Sequence, residues 1–202
     1  MTETNSIDLL KALVGFDTTS YKSNLELIKF VESYLNRFNI QSTLTYDSTG
    51  EKANLYATIG PKNIGGVMLS GHTDVVPVTG QTWGYDPFRL TQVEDKLFGR
   101  GSADMKGFLA LALSRVPKML ETNLSKPIHL AFSYDEEIGC VGVRRLLDLI
   151  ERNTIYPDFC IVGEPTNMKV VIGHKGKCSH QVNIHGLACH SGQAPFGVNA
   201  IN

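Results

Sequence analysis

The stretch Gly66-Val-Met-Leu-Ser-Gly-His-Thr-Asp74 decides the fold class of this chain of 202 residues. Its first five residues are nearly all apolar, which is typical of a strand that is covered on both faces of a sheet. A histidine and an aspartate follow two positions apart, and side chains two apart on an extended chain point the same way. We therefore expect Asp74 to accept the second N–H of the His72 imidazole, as the partner of a metal-bound histidine does.

Helical and strand-like patterns alternate on both sides of this stretch. Apolar residues recur at helical spacing over residues 7–14 and 25–38, and a capping box begins at Ser23. Two more helices are predicted at residues 105–120 and 141–150. The predicted strands are residues 41–46, 54–59, 66–70, 128–134 and 158–162, the last of them buried. This order predicts an α/β fold, with a mostly parallel central sheet in a layered domain.

The pattern changes near residue 175. Strands are predicted at residues 169–172 and 177–184, but only about 26 residues follow Gly176, too few to bury a core of their own. We therefore predict one domain over residues 1–175 and the beginning of a second over residues 176–202.

The composition excludes several classes of protein. The chain has 19 Lys and Arg against 20 Asp and Glu, and 42% of its residues are hydrophobic, which excludes a disordered chain. Its net charge is close to zero, so electrostatics give no reason to expect binding to nucleic acid or to an anionic membrane. No apolar run is long enough for a membrane-spanning helix, and the first residues lack a secretory signal, which favours a cytoplasmic protein. The four cysteines form no CxxC pair, and we expect reduced, mostly buried thiols.

A second candidate ligand lies in Gly99-Arg-Gly-Ser-Ala-Asp104, directly before a predicted helix. A dinucleotide-binding loop is the alternative, because Gly99 and Gly101 have its spacing. However, Asp104 occupies the third glycine position, where a carboxylate would repel a pyrophosphate. The loop therefore suits a cation better.

Carboxylates also follow two more predicted strands. Asp135-Glu-Glu137 comes after the strand at 128–134, and Glu164 comes after the strand at 158–162. Acidic residues in a first helical turn are common by themselves, since they favour the helix dipole by ~0.3–1 kcal/mol. In open α/β sheets, however, ligands bind at the carboxyl ends of the strands. Histidine and carboxylates at several such ends predict a metal site.

In this order, these motifs resemble those of the M20 metallopeptidase family, whose members are di-zinc amidohydrolases. The resemblance is carried by residues 70–78, 99–107, 135–137 and 163–166 and by the motif His190-Ser, and it extends over residues 83–88, 96–108, 174–176 and 184–201. It implies a zinc-exopeptidase-like catalytic domain that lacks its C-terminal segment here. It also implies that residues 176–202 begin an α+β lid domain, which forms a homodimer in the family.

The resemblance assigns a role to seven residues. It places His72, Asp104 and Glu164 on one Zn²⁺ or Co²⁺ ion, and Asp104 and Glu137 on a second. Glu136 becomes the general base, Asp74 orients His72, and His190 stabilises the oxyanion. The chemistry agrees, because two ions ~3.5–4 Å apart are held well by a shared carboxylate. The implied reaction is hydrolysis of the amide bond of an N-acyl amino acid by a metal-bound hydroxide, with Glu136 moving the proton.

Three features leave alternatives open. Family members have a fifth ligand, a histidine near the C-terminus, and this chain ends before it, so we expect poor activity from the chain alone. A non-catalytic metal-binding fragment is therefore the alternative from another class. His190 precedes Ser191-Gly192, where the family usually has His-Ser-Ser, so the motif behind its oxyanion role departs from the family pattern. A Cys–His nucleophile is disfavoured, because the neighbouring Cys189 points to the opposite side of an extended chain. The absence of a Gly-x-Ser-x-Gly motif argues against an α/β-hydrolase serine enzyme.

Overall fold

The computed structural model describes residues 5–152, 155–176, 178 and 180–201, which fall into two compact units, Met1–Asn167 and Met168–Asn202. The helices are α1 (Ser6–Gly15), α2 (Leu25–Asn36), α3 (Lys106–Ser114), α4 (Val116–Glu121), α5 (Val143–Glu151) and a 3₁₀-helix (Ser191–Phe196). The strands are β1 (Ser42–Tyr46), β2 (Ala53–Ile59), β3 (Val67–His72), β4 (Thr91–Val93), β5 (Lys96–Phe98), β6 (Ile128–Ser133) and β7 (Phe159–Val162). None of the helices described is long and apolar enough to cross a membrane.

Five strands form the central sheet in the order β1-β2-β6-β3-β7, and the predicted α/β class is confirmed. The sheet is mixed: β6 and β7 run parallel to β3, whereas β2 runs antiparallel to β1 and β6. Residues 47–52 alone join β1 to β2, and so short a connection permits only an antiparallel pair. The longer crossover from β3 to β6 carries α3 and α4, and it produces the parallel pair that positions the site.

Helices cover the sheet on both faces. Leu55 and Phe132 are register partners on β2 and β6, and they pack with α1, α2 and α3 in the main core. The next register pair, Tyr56 and Ala131, points to the other face and packs against α5. This alternation produces three layers at β2 and β6, which are buried on both sides, whereas residues 67–70 of β3, predicted to be covered on both faces, are half-buried.

The predicted helix over residues 105–120 is interrupted at Arg115. Pro117 has no N–H and cannot donate to the carbonyl of Leu113 one turn earlier. The hydroxyl of Tyr34 donates to that carbonyl instead, at 3.0 Å. Pro117 lies in the first turn of α4, where its missing N–H costs nothing. The break is therefore a consequence of the sequence that the apolar period alone does not reveal.

Residues 158–162 were predicted to form a buried strand; the strand forms, but it is exposed. β7 forms beside β3, but Phe159 and Val162 are each 56% exposed. Within the described residues, β7 pairs with β3 alone, so it is an edge strand. The four cysteines are free as predicted, but all are exposed, Cys160 of β7 among them.

Two further predictions concern short strands. Residues 169–172 form no strand, and neither do residues 178 and 180–184, while residues 177 and 179 lie outside the described residues. The hairpin of β4 and β5 was not predicted, because three-residue strands are too short to show a period. In the second unit, Leu187 and Val198 form an isolated antiparallel bridge. The predicted domain boundary at residue 175 stays a prediction.

Asn24 links the start of α2 to two strand regions, and the variant Asn24→Ala tests this link. It is the cap residue of α2 in place of the predicted Ser23, and its side chain is 2% exposed. Its amide donates to the Ala53 carbonyl at 2.9 Å and to Thr73 Oγ1 at 2.8 Å, and it accepts from the Ala53 N–H at 2.9 Å. Because the variant leaves both backbone groups of Ala53 unpaired, we expect the free energy of unfolding to fall by about 3 kcal/mol in urea titrations.

The control for this variant is Asn63→Ala, since Asn63 is exposed in a loop. We expect it to change the free energy of unfolding by less than about 0.5 kcal/mol. Equal losses for the two variants would contradict the proposed role of Asn24.

Candidate metal centre

Three of the predicted ligands and the predicted base Glu136 lie at the carboxyl ends of three adjacent strands. His72 is the last residue of β3, Glu136 and Glu137 follow β6, and Glu164 follows β7. Because these strands are parallel, their carboxyl ends meet at one edge of the sheet. Asp104 reaches the same place from the loop before α3. All of them belong to the unit Met1–Asn167.

A glycine shapes the loop that carries Asp104. Gly101 has a φ of 81°, a conformation that side chains with a Cβ rarely adopt. A Cβ there would lie 2.7 Å from Cγ1 of Val75, so the loop cannot pack as it does with another residue. The glycine that suggested a dinucleotide loop in the sequence is therefore required by its positive φ and by the close packing of the Val75 side chain.

The donor atoms converge on the imidazole of His72. Its Nε2 lies 3.0 Å from Oδ1 of Asp104, 3.7 Å from Oε1 of Glu164 and 3.9 Å from Oε2 of Glu136. The imidazole itself is 1% exposed, whereas the three carboxylates are each between 36% and 48% exposed. The imidazole is therefore closed off from solvent, whereas the carboxylates around it are accessible.

The donors fall into two groups whose atoms lie within 4.8 Å of one another. One group is His72, Asp104 and Glu137, and the other is His72, Glu136 and Glu164. An imidazole nitrogen with carboxylate oxygens is a donor set that Zn²⁺ accepts, so these residues fit a metal ion. The grouping differs from the assignment that the family resemblance implies, because it places Glu136 rather than Asp104 with Glu164.

Asp74 contacts His72 differently from the expectation. The Nδ1 of His72 lies 2.8 Å from the backbone oxygen of Asp74 and 3.5 Å from its carboxylate. The carboxylate of Asp74 instead accepts the backbone N–H groups of Glu136 at 3.0 Å and of Glu137 at 3.2 Å. Asp74 is therefore placed to hold the turn that carries these two glutamates, as well as the imidazole.

Sequence reasoning missed two buried residues behind the site. The hydroxyl of Ser20 donates to the carboxylate of Asp74 at 2.7 Å. The ammonium group of Lys106 donates to the carbonyl of Phe16 at 2.7 Å, and this side chain is fully buried. Burial lowers the pKa of Lys106 to about 7, even though Asp17 and Asp74 favour its charged form. Ser20 is far from Asp74 in sequence, so no local pattern could have found this contact, whereas Lys106 directly follows the Asp104 motif.

The charged groups of the site shift one another's pKa values. Burial disfavours the charged imidazole of His72, but the Asp74 and Glu164 carboxylates outweigh it and raise its pKa to about 9. Burial and the surrounding carboxylates raise the pKa of Glu137 and of Glu164, against the attraction of His72. Burial opposes the charge of Asp74 as well, yet His72, Ser20 and the Glu136 N–H hold its pKa below the usual value.

The raised pKa of His72 predicts how metal binding depends on pH. A metal ion requires neutral imidazole, and below about pH 9 the metal-free protein holds a proton there. We therefore expect the apparent zinc affinity to rise about tenfold per pH unit from pH 7 to pH 9 and then to level off. Competition with a chromophoric chelator at each pH measures this. A constant affinity over this range would contradict the protonation of His72.

His190 lies in the second unit, Met168–Asn202, which is described by itself. It precedes the 3₁₀-helix, and its Nδ1 accepts the N–H of Gly192 at 3.1 Å. The oxyanion role of this histidine stays a prediction.

A sheet whose parallel strands end in an imidazole and several carboxylates is the arrangement of a metallohydrolase. Residues 68–200 match the model of the peptidase family M20/M25/M40. The chain therefore belongs to this family, whose enzymes are metal-dependent hydrolases of the amidohydrolase and peptidase class.

Relatives and solved structures agree with this membership. An acetylornithine deacetylase of Pasteurella multocida is 37% identical over 96% of this chain and 52% of its own length. Another, of Aliivibrio salmonicida, is 41% identical over 74% of this chain and 39% of its own length. The chain thus spans about half the length of the curated relatives it matches. The M20 family metallo-carboxypeptidase Sso-CP2 of Sulfolobus solfataricus is 25% identical with a TM-score of 0.67, over 79% of this chain and 37% of its own. Human carnosine dipeptidase 1 shares the fold, with a TM-score of 0.67 at 23% identity over 78% of this chain and 38% of its own.

Proposed function

We propose that this protein hydrolyses the amide bond of an N-acyl amino acid, and that the substrate is N2-acetyl-L-ornithine, which gives L-ornithine and acetate. The observation that carries the proposal is the convergence of His72, Asp104, Glu136, Glu137 and Glu164 at one edge of the sheet. The curated acetylornithine deacetylases at 35–41% identity support the choice of substrate. The reaction would belong to arginine biosynthesis in the cytoplasm.

The ligand set is proposed from the family resemblance, and the closeness of its donor atoms to His72 supports it. His72, Asp104, Glu137 and Glu164 would hold two divalent ions, Zn²⁺ or Co²⁺, with Asp104 shared between them. When bound, such ions polarise the amide carbonyl and make water more acidic. A longer protein would complete the site and form a homodimer through the domain that begins at residue 176.

Glu136 is proposed as the general base. Its carboxylate is 36% exposed and lies 3.9 Å from Nε2 of His72, so it is both near the ligands and open to solvent. It takes a proton from water as the water oxygen attacks the amide carbon. It then delivers that proton to the nitrogen as the C–N bond breaks, so that acid and amine leave.

Asp74 and His190 complete the proposed mechanism. Asp74 accepts the N–H of Glu136, and this contact fixes the backbone from which the Glu136 carboxylate projects. His190 would donate a hydrogen bond to the oxygen on which negative charge develops.

The test is hydrolysis of N2-acetyl-L-ornithine by the product of the complete gene, with Zn²⁺ or Co²⁺ added. We expect turnover that a chelator abolishes and added metal restores. Turnover of N-succinyl-diaminopimelate instead would reassign the substrate to a desuccinylase, and another N-acyl amino acid would indicate an aminoacylase. The likeness to a metallo-carboxypeptidase favours peptides as the next substrates to assay.

The second candidate function is that of the 202-residue chain on its own. Because it spans about half the length of its relatives, we propose that alone it is a poorly active, metal-binding fragment. This proposal predicts one tightly held metal ion on His72, Asp104 and Glu164. Two tightly bound ions per chain, or full turnover, would overturn it.

A further inference from the structure

A mostly buried ion pair holds the residue that precedes the two glutamates of the metal centre. Nζ of Lys52, which directly precedes β2, lies 2.5 Å from Oδ1 of Asp135, and the two side chains are only 15% and 12% exposed. Asp135 is followed at once by Glu136 and Glu137. The pair joins positions 83 residues apart, and neither member is a proposed ligand or the proposed base.

Asp135 has a backbone conformation that few residues adopt. Its φ is 55°, in the left-handed region that Asp and Asn tolerate better than most residues with a Cβ. Its carbonyl accepts the N–H of Val141 at 3.1 Å, which closes the turn after β6. The direction in which the chain leaves the sheet toward Glu136 is therefore set at Asp135, the residue that Lys52 holds.

The ammonium group of Lys52 has a second partner, in the loop between α1 and α2. It donates to the backbone carbonyl of Ser20. The hydroxyl of Ser20 donates in turn to the carboxylate of Asp74 at 2.7 Å, and that carboxylate accepts the backbone N–H groups of both glutamates. Lys52 is therefore linked to the turn twice, directly through Asp135 and indirectly through Ser20 and Asp74.

This arrangement ties the turn to two other segments of the chain. Removing one member of a buried ion pair leaves the other as an uncompensated charge, so the turn cannot move away from Lys52 without a large cost. A turn without this tie would place the two glutamate carboxylates less accurately. Misplacement of a reacting group by ~1 Å lowers a rate by about 10²-fold, so the tie is of the kind that catalysis depends on.

We propose that Lys52 and Asp135 are positioning residues, and that their ion pair fixes the carboxylates of Glu136 and Glu137 relative to His72. The effect on hydrolysis rests on the proposed function, in which Glu136 is the base. The effect on a bound metal ion rests only on the donor group that contains His72 and Glu137, because Glu137 belongs to the same turn.

The test is the variant Lys52→Met in the product of the complete gene, loaded with Co²⁺. We expect kcat on N2-acetyl-L-ornithine to fall by at least about tenfold while KM stays within about threefold, because substrate binding is retained and the base is misplaced. We also expect the visible absorption spectrum of the bound Co²⁺ to change, because Glu137 shifts with the turn. If the ion pair were only structural, the variant would unfold at a lower temperature but keep the original kcat and spectrum, and that outcome would overturn the proposal.

A second variant and a matched control keep the test decisive. Asp135→Asn removes the charge but keeps the size of the side chain, and Asn tolerates the positive φ, so the turn itself should persist. We expect the same losses as in Lys52→Met, and no further loss in the double variant, because the two residues act as a unit. The control Lys126→Met breaks the exposed ion pair with Asp158, whose atoms lie 2.7 Å apart before β6 and β7, at the ends opposite the metal centre. Additive losses in the double variant, or an equal loss in the control, would refute the assignment.

The cobalt spectrum separates this proposal from the proposed function. If the original protein does not hydrolyse N2-acetyl-L-ornithine, the substrate assignment fails, and the spectra of Lys52→Met and Asp135→Asn still decide the positioning role. If the original protein turns over this substrate and both variants keep its kcat and its spectrum, the positioning role alone is wrong.

Discussion

Replacement of Glu136 by Gln is expected to lower kcat of the complete enzyme by at least 100-fold while its metal content stays unchanged. Gln has the size of Glu but cannot accept a proton at neutral pH, and general base catalysis contributes about 10²–10⁴-fold. The donor atoms of His72, Asp104, Glu137 and Glu164 remain. Steady-state kinetics on N2-acetyl-L-ornithine and metal analysis of the same sample measure the two effects.

The metal content makes this variant decisive, because the structure groups Glu136 with His72 and Glu164 within 4.8 Å. A loss of one metal ion with the loss of activity would make Glu136 a ligand and would contradict its role as the base. Unchanged turnover would contradict both roles. The control is Glu121→Gln, at the exposed end of α4, which should retain full activity.

Replacement of Asp74 by Ala is expected to weaken metal binding by about 10–100-fold and to lower kcat at the same time. The carboxylate accepts from Ser20 and from the backbone N–H groups of Glu136 and Glu137, so its removal releases the turn that carries both glutamates. It also removes the carboxylate that raises the pKa of His72, and the weaker competition from protons below about pH 9 offsets part of the lost metal affinity. Zinc titration and kinetics at saturating metal separate the loss of affinity from the loss of positioning.

Two further variants sharpen the interpretation of Asp74→Ala. Asp74→Asn retains an acceptor oxygen for one of the two N–H groups, so we expect it to lose less kcat than Asp74→Ala. The control Asp95→Asn changes an exposed carboxylate in the loop between β4 and β5. If Asp74→Ala kept full kcat at saturating metal, Asp74 would act on metal affinity alone. The proposal that it positions Glu136 would then be wrong.

Much of the fold followed from local patterns. The apolar run before His72 predicted a central strand, and the structure places β3 between β6 and β7. The order of helices and strands predicted the α/β class, since each pattern reflects which side chains face the core. The exposure of Phe159 did not follow, because an apolar strand has the same sequence whether or not a neighbour covers it.

The candidate site was predicted in its residue types more than in its contacts. His72, Asp104, Glu137 and Glu164 were assigned through short motifs. The parallel strands carry three of them to one edge of the sheet, and the loop before α3 brings Asp104 to His72. The contact of Ser20 with Asp74 joins positions 54 residues apart, and no pattern within either segment encodes it.

The sequence by itself determined the elements and the chemistry available at their ends: an imidazole after one strand, and carboxylates after two more and before a helix. Only the tertiary structure decided which group each one faces. Asp74 illustrates the difference, since its spacing from His72 suggested a bond between the two side chains. In the fold, the backbone oxygen of Asp74 accepts a hydrogen bond from the imidazole, and its carboxylate accepts the N–H groups of two residues in the turn after β6. The physical reason is that periodicity fixes the direction of a side chain within its own element, whereas its partner is fixed by how separate elements pack.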